Sequence, residues 1–316
     1  MPPFEAPDPH HFRNVYIFAA NGDHLGALYI NDPPQVTNAS FYRICTHFIK
    51  SPLPQEAWAI HPITPMDNFA SNPLPRSSLP LQKGRYVLLG PEMQRINATI
   101  TDEPALHRLY TPESFSPVSR NGSPRDPRHL RFGERVYERD KACAITGFKP
   151  PPPPDHLLGV RATHIFPLCL RQLWVRNGWG DEWIKSDEDE DEELIGPDRL
   201  YSAQNGLLLG ACARSFFCTF VLTVDPDDDY RVVFLCQDTL GYNGRRLSET
   251  AIGNVSDECL RWHFHQSILT AVRGMGEGNW DDDVIYENVM DFGDYDEEDK
   301  ELERESVRGV TEWAGV

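Results

Sequence analysis

No apolar run in this 316-residue chain reaches the roughly 18 residues that a membrane-crossing helix needs. That leaves no candidate transmembrane helix. The opening residues, Met1-Pro2-Pro3-Phe4-Glu5, lack the basic, apolar, then small-residue order of a secretory signal. The seven cysteines are odd in number and include no Cys-x-x-Cys pair, which speaks against a disulfide framework. Structural zinc wants close ligand pairs, and Cys212 and Cys218 are six residues apart. The expectation is therefore buried, reduced thiols and an intracellular protein, nuclear or cytoplasmic. No Gly-rich phosphate loop and no Gly-x-Ser-x-Gly elbow occur.

The chain also lacks basic excess, carrying a formal charge of -18. Its location matters more than its size. Residues 187–193 are seven consecutive acids, and residues 281–305 carry thirteen acids against Lys300 and Arg304. The remainder is close to neutral, so nucleic acid is not excluded as a partner of the rest of the chain. The acidic runs read as solvated spacers or as a tail that binds a basic partner.

Along the chain, residues 1–12 are Pro- and His-rich and read as loose. Residues 13–110 read as a small α+β domain. Its signals are β-rich runs at 14–18 and 25–30 around Asn21-Gly22, and a helix opening at Thr37. Phe41, Ile44, Cys45 and Phe48 have the spacing of one helical face. Further strands are expected at 57–61 and 85–89. Residues 111–128 read as a linker. The second compact region, 129–275, reads as helix (129–140), hairpin (142–166), helix (168–177), acidic insert (181–198), helix (204–218), hairpin (219–236) and long helix (256–273). Residues 276–316 form an acidic tail.

Three segments carry a resemblance: Arg139-Asp140-Lys141-Ala142-Cys143-Ala144-Ile145-Thr146-Gly147, Ala162-Thr163-His164-Ile165-Phe166-Pro167-Leu168, and Ser202-Ala203-Gln204-Asn205-Gly206-Leu207-Leu208-Leu209. Together they resemble the fungal HNH-endonuclease-like family, whose module is a ββα-metal site. The resemblance implies an α+β fold with His164 as general base and Asn205 orienting its ring and selecting its tautomer. It also implies a Mg or Mn ion if the protein is active.

The chain departs from the pattern at the metal. The family's last histidine falls at Arg214, whose guanidinium has no lone pair to offer a cation. Thr163 stands where many such nucleases carry a metal-binding aspartate. No histidine lies between His164 and His263. The metal ligands are thus unknown from sequence.

Arg214 could instead grip a phosphate in a two-pronged contact, with Arg161, Arg171 and Arg176 extending a basic edge. The competing expectation is a solvated helix face paired with the 187–193 acids. His263, after Trp262, reads as a packed core residue. Two functions follow. One is a catalytically impaired HNH-domain protein acting as a nucleic-acid or protein interaction module. The alternative is a divalent-metal-dependent endonuclease.

Overall fold

The computed structural model describes residues 13–106, 127–151, 159–185 and 192–274. The expected loose N-terminus, most of the linker, residues 152–158 of the expected hairpin, residues 186–191 of the acidic insert and the acidic tail lie outside the described residues.

The chain divides into two compact units. Among the described residues, the first contains those up to Leu106, together with Val233–Gly244 and the stretch from Phe264 to Gly274. The last two stretches were read from sequence as parts of the downstream module. Its strands are β1 (Val15–Phe18), β2 (His24–Leu28), β3 (Ile49–Lys50), β4 (Ala59–Ile63), β5 (Gly84–Leu89) and β6 (Thr99–Ile100), and its first helix is α1 (Asn38–Thr46). β2-β1-β5-β4 form one sheet, in which β1 lies antiparallel to β2 and parallel to β5. Gly22 takes the left-handed backbone that the β1–β2 turn needs, at φ 98°. Thr37 caps α1, its side chain accepting from Ser40 N at 3.1 Å. Phe41, Ile44, Cys45 and Phe48 are buried as their spacing requires, in a core with Val15, Leu88, Ile268 and Leu269.

The second unit opens with α2 (Pro127–Asp140), which begins two residues before the expected start, with proline at its first position. It continues through β7 (Val160–His164), α3 (Arg171–Asn177), α4 (Trp179–Trp183), α5 (Glu192–Ile195), β8 (Gly206–Gly210), α6 (Ala211–Cys218), β9 (Leu222–Asp225) and the first half of β10 (Arg231–Phe234). α7 (Asp257–Ala271) begins in this unit. The ribbon of β9 and β10 follows the expected hairpin. Its turn is set by Asp225, which caps Asp227 N, and by left-handed Asp229 and Tyr230.

Two expectations are corrected here. Residues 142–147 are turn, so there is no hairpin spanning 142–166; β7 pairs antiparallel with β8 instead. The helix expected over 204–218 is a short 3-10 turn, Ala203–Asn205, then strand β8, with α-helix only from Ala211. Leu207, Leu208 and Leu209 are all fully buried, and β7 supplies hydrogen bonds that a local reading of an apolar run cannot foresee. α6 packs on both strands, so the ββα unit is β7, β8 and α6.

Candidate functional site

His164 ends β7 directly opposite Gly206, so the two residues face the same side of the ribbon. That side is covered by α2. A methyl group on Gly206 would meet Phe132 Cζ at 2.6 Å and Val136 Cγ2 at 2.7 Å. Phe132 in turn lies flat on the His164 ring, with centroids 3.7 Å apart and planes 8° from parallel. Tyr201 and His129 close the imidazole edge-on, at 5.8 and 6.3 Å. His164 is 0% exposed. Gly206→Ala is expected to cost about 1–3 kcal/mol by overpacking this layer, measured by urea denaturation; a neutral result would mean that α2 yields without cost.

Asn205 works on the backbone. Its Oδ1 accepts from Phe166 N at 2.8 Å, and Nδ2 donates to the carbonyls of Phe166 and Leu200, both at 3.1 Å. Its own carbonyl accepts from Ile165 N. Both amide protons are therefore used on backbone carbonyls, and these contacts run to Phe166 and Leu200 rather than to the His164 ring. The ring of Phe166 then anchors that chain among Trp174, Trp179, Trp183 and Trp262.

The Arg-Asp-x-x-Cys-x-x-Thr-Gly segment acquires a physical role that the sequence reading did not assign. Arg139 binds Asp140 through two contacts at 2.7 and 3.0 Å, and donates to the carbonyls of Ala203 and Gly206, both at 2.7 Å. Asp140 Oδ2 accepts from Leu208 N at 2.9 Å, and Ala144 N donates to Leu208 O. This segment therefore satisfies the edge of β8 that faces away from β7. Cys143 is buried in a tight turn, its sulfur accepting from Thr146 N at 3.4 Å, with left-handed Gly147 completing it.

The arginines fall differently from expectation. Alternation along β7 turns Arg161 and Thr163 to the side opposite His164, so Arg161 is not brought beside the histidine. Arg171 pairs with Asp198 at 2.5 Å, and Arg176 is exposed in the last turn of α3. Arg214 is 7% exposed, on the buried side of α6 with Ala213, Phe217 and Cys218. It is not on a solvated face. His263 is a packed core residue, fully buried, stacked on Phe217 at 3.7 Å and hydrogen-bonded to Thr223 Oγ1 and the Phe217 carbonyl.

A nuclease metal needs oxygen or imidazole donors converging on one point. His164 is instead walled by aromatic rings, position 163 is a threonine on the other side of the strand, and α6 presents an arginine. Among the described residues, no group of three or more His, Cys, Asp or Glu side chains could hold a metal ion. The described residues do not fit the ion. Nor is any helix among them long and apolar enough to cross a membrane.

Comparison with curated proteins and with solved structures gives no match. A scan against family models does: residues 143–225 match the HNH endonuclease model. That span holds β7, β8, α6 and β9, and with them His164, Asn205 and Arg214. The chain therefore carries a domain of the HNH endonuclease family within a mixed α+β fold.

Proposed function

We propose that this HNH nuclease-domain protein has lost metal-dependent cleavage and works as an interaction module for nucleic acid or for a protein. The observation that supports this most is the donor set. Arg214 occupies the buried side of α6, and no metal-binding group of three or more side chains surrounds His164 among the described residues. Fixed positive charge on α6 takes the place of a bound cation. Arg214, with half-buried Arg161 on β7, is the proposed phosphate contact, and the acidic tail is the proposed site for a basic partner.

The expected result is no cleavage of DNA or RNA in Mg²⁺ or Mn²⁺, and no heat of Mn²⁺ binding by calorimetry. The second reading, a metal-dependent endonuclease with His164 as general base, is favoured by the family match and by His164 and Asn205 sitting in the ββα frame. Cleavage that His164→Ala abolishes would establish it and overturn the first.

A further inference from the structure

In the first unit, His47 closes the C-terminal end of α1, and its Nδ1 lies 3.0 Å from Nδ1 of His265 on α7. Nε2 of His265 meets Glu103 Oε1 at 2.9 Å. The ring centroids are 5.2 Å apart, close to the maximum of the nitrogen separation plus two ring radii. The nitrogens therefore meet head-on. A shared metal would hold them at an angle around itself, so the contact is a hydrogen bond with one proton between the rings.

Glu103 belongs to a strap, residues 101–106, which is held at several points. Thr101 N donates to the Phe48 carbonyl, Leu106 N donates to Gln266 Oε1 at 2.9 Å, and the Arg273 guanidinium donates to the carbonyls of Thr101 and Glu103. Among the described residues, charged groups near the pair include Arg43 on α1, Lys50 paired with Asp102, Glu103 on the strap, and Arg273 just after α7.

We propose that His47, His265 and Glu103 form a proton-counting latch, closed with zero or one added proton and opened by the second. With no added proton, His265 carries its hydrogen on Nε2, donates it to Glu103, and accepts at Nδ1 from His47. When one proton is added at His47 Nε2, the shared proton passes from His47 Nδ1 to His265 Nδ1, and His265 becomes an imidazolium that still donates to Glu103 and now donates from Nδ1 to His47. The hydrogen bond reverses direction and survives. A second proton sets two N–H groups against each other at 3.0 Å with no acceptor between them. The rings must then part, and the His265–Glu103 tie to the strap is strained with them.

The experiment is a ¹⁵N imidazole titration of the intact chain by NMR, from pH 8 downward, with the amide signals of Glu103 to Leu106 followed alongside. His24, held down to about 4 by burial, stays neutral through most of this window and serves as an internal reference. The expected result is two separated steps, with the strap amides silent in the first and moving together in the second. Glu103→Gln should draw the opening to lower pH, because the anion that favours each proton added to the pair is gone. A single step for both rings, or strap amides that ignore the second proton, would overturn the latch.

Discussion

Asp140→Ala is expected to destabilise the second unit by about 3–5 kcal/mol, the range for removing one member of a buried ion pair. Asp140 is 4% exposed and Arg139 reaches it through two nitrogens. Losing the carboxylate leaves a largely buried guanidinium without its counter-charge and the Leu208 N–H without its acceptor. The strand edge next to the ββα unit is then open. Urea denaturation followed by tryptophan fluorescence weights this unit, because four of the seven tryptophans, Trp174, Trp179, Trp183 and Trp262, cluster around Phe166, whereas Trp58 reports on the first unit. A loss under about 1 kcal/mol, the scale of an exposed pair, would mean that water replaces the carboxylate and that the Arg-Asp segment does not hold β8.

Asn205→Ala is expected to cost about 3 kcal/mol or more. Three side-chain hydrogen bonds vanish together, and each buried group left without a partner costs roughly 1–3 kcal/mol. Asn205→Asp separates this explanation from simple loss of volume. The carboxylate can still accept from Phe166 N, yet its second oxygen would face the Phe166 and Leu200 carbonyls, which need donors. The aspartate variant should therefore be no more stable than the alanine variant at neutral pH. If it recovers most of the wild-type stability, the acceptor alone matters and the account of the two amide protons fails.

Both predictions concern residues in the segments that carry the family resemblance, and in both the physical role is to hold backbone. Such roles are independent of whether a metal is held nearby. The Arg139–Asp140 pair, the Cys143 turn and the Asn205 clamp satisfy buried polar groups whatever chemistry His164 performs.

Much of the first unit was legible before any coordinates. The Asn21-Gly22 turn, the Thr37 cap and the Phe41–Phe48 spacing are local signals, each decided by residues a few positions apart. The β9–β10 ribbon, the length of α7 and the core role of His263 were legible for the same reason. So was the chemical point that Arg214 cannot ligate a cation, since it follows from the guanidinium itself.

Tertiary structure decided the rest. The run from Gly206 to Gly210 is a strand because β7, more than 40 residues earlier in the chain, pairs with it. Asn205 is a backbone clamp because Phe166 and Leu200 both come within reach of its amide. His164 lies under Phe132 and Tyr201, beyond the reach of any local pattern. The latch joins residues 218 positions apart. Local propensity is written in neighbouring residues, whereas strand partners, burial and the sharing of a proton depend on which distant segments the fold brings together.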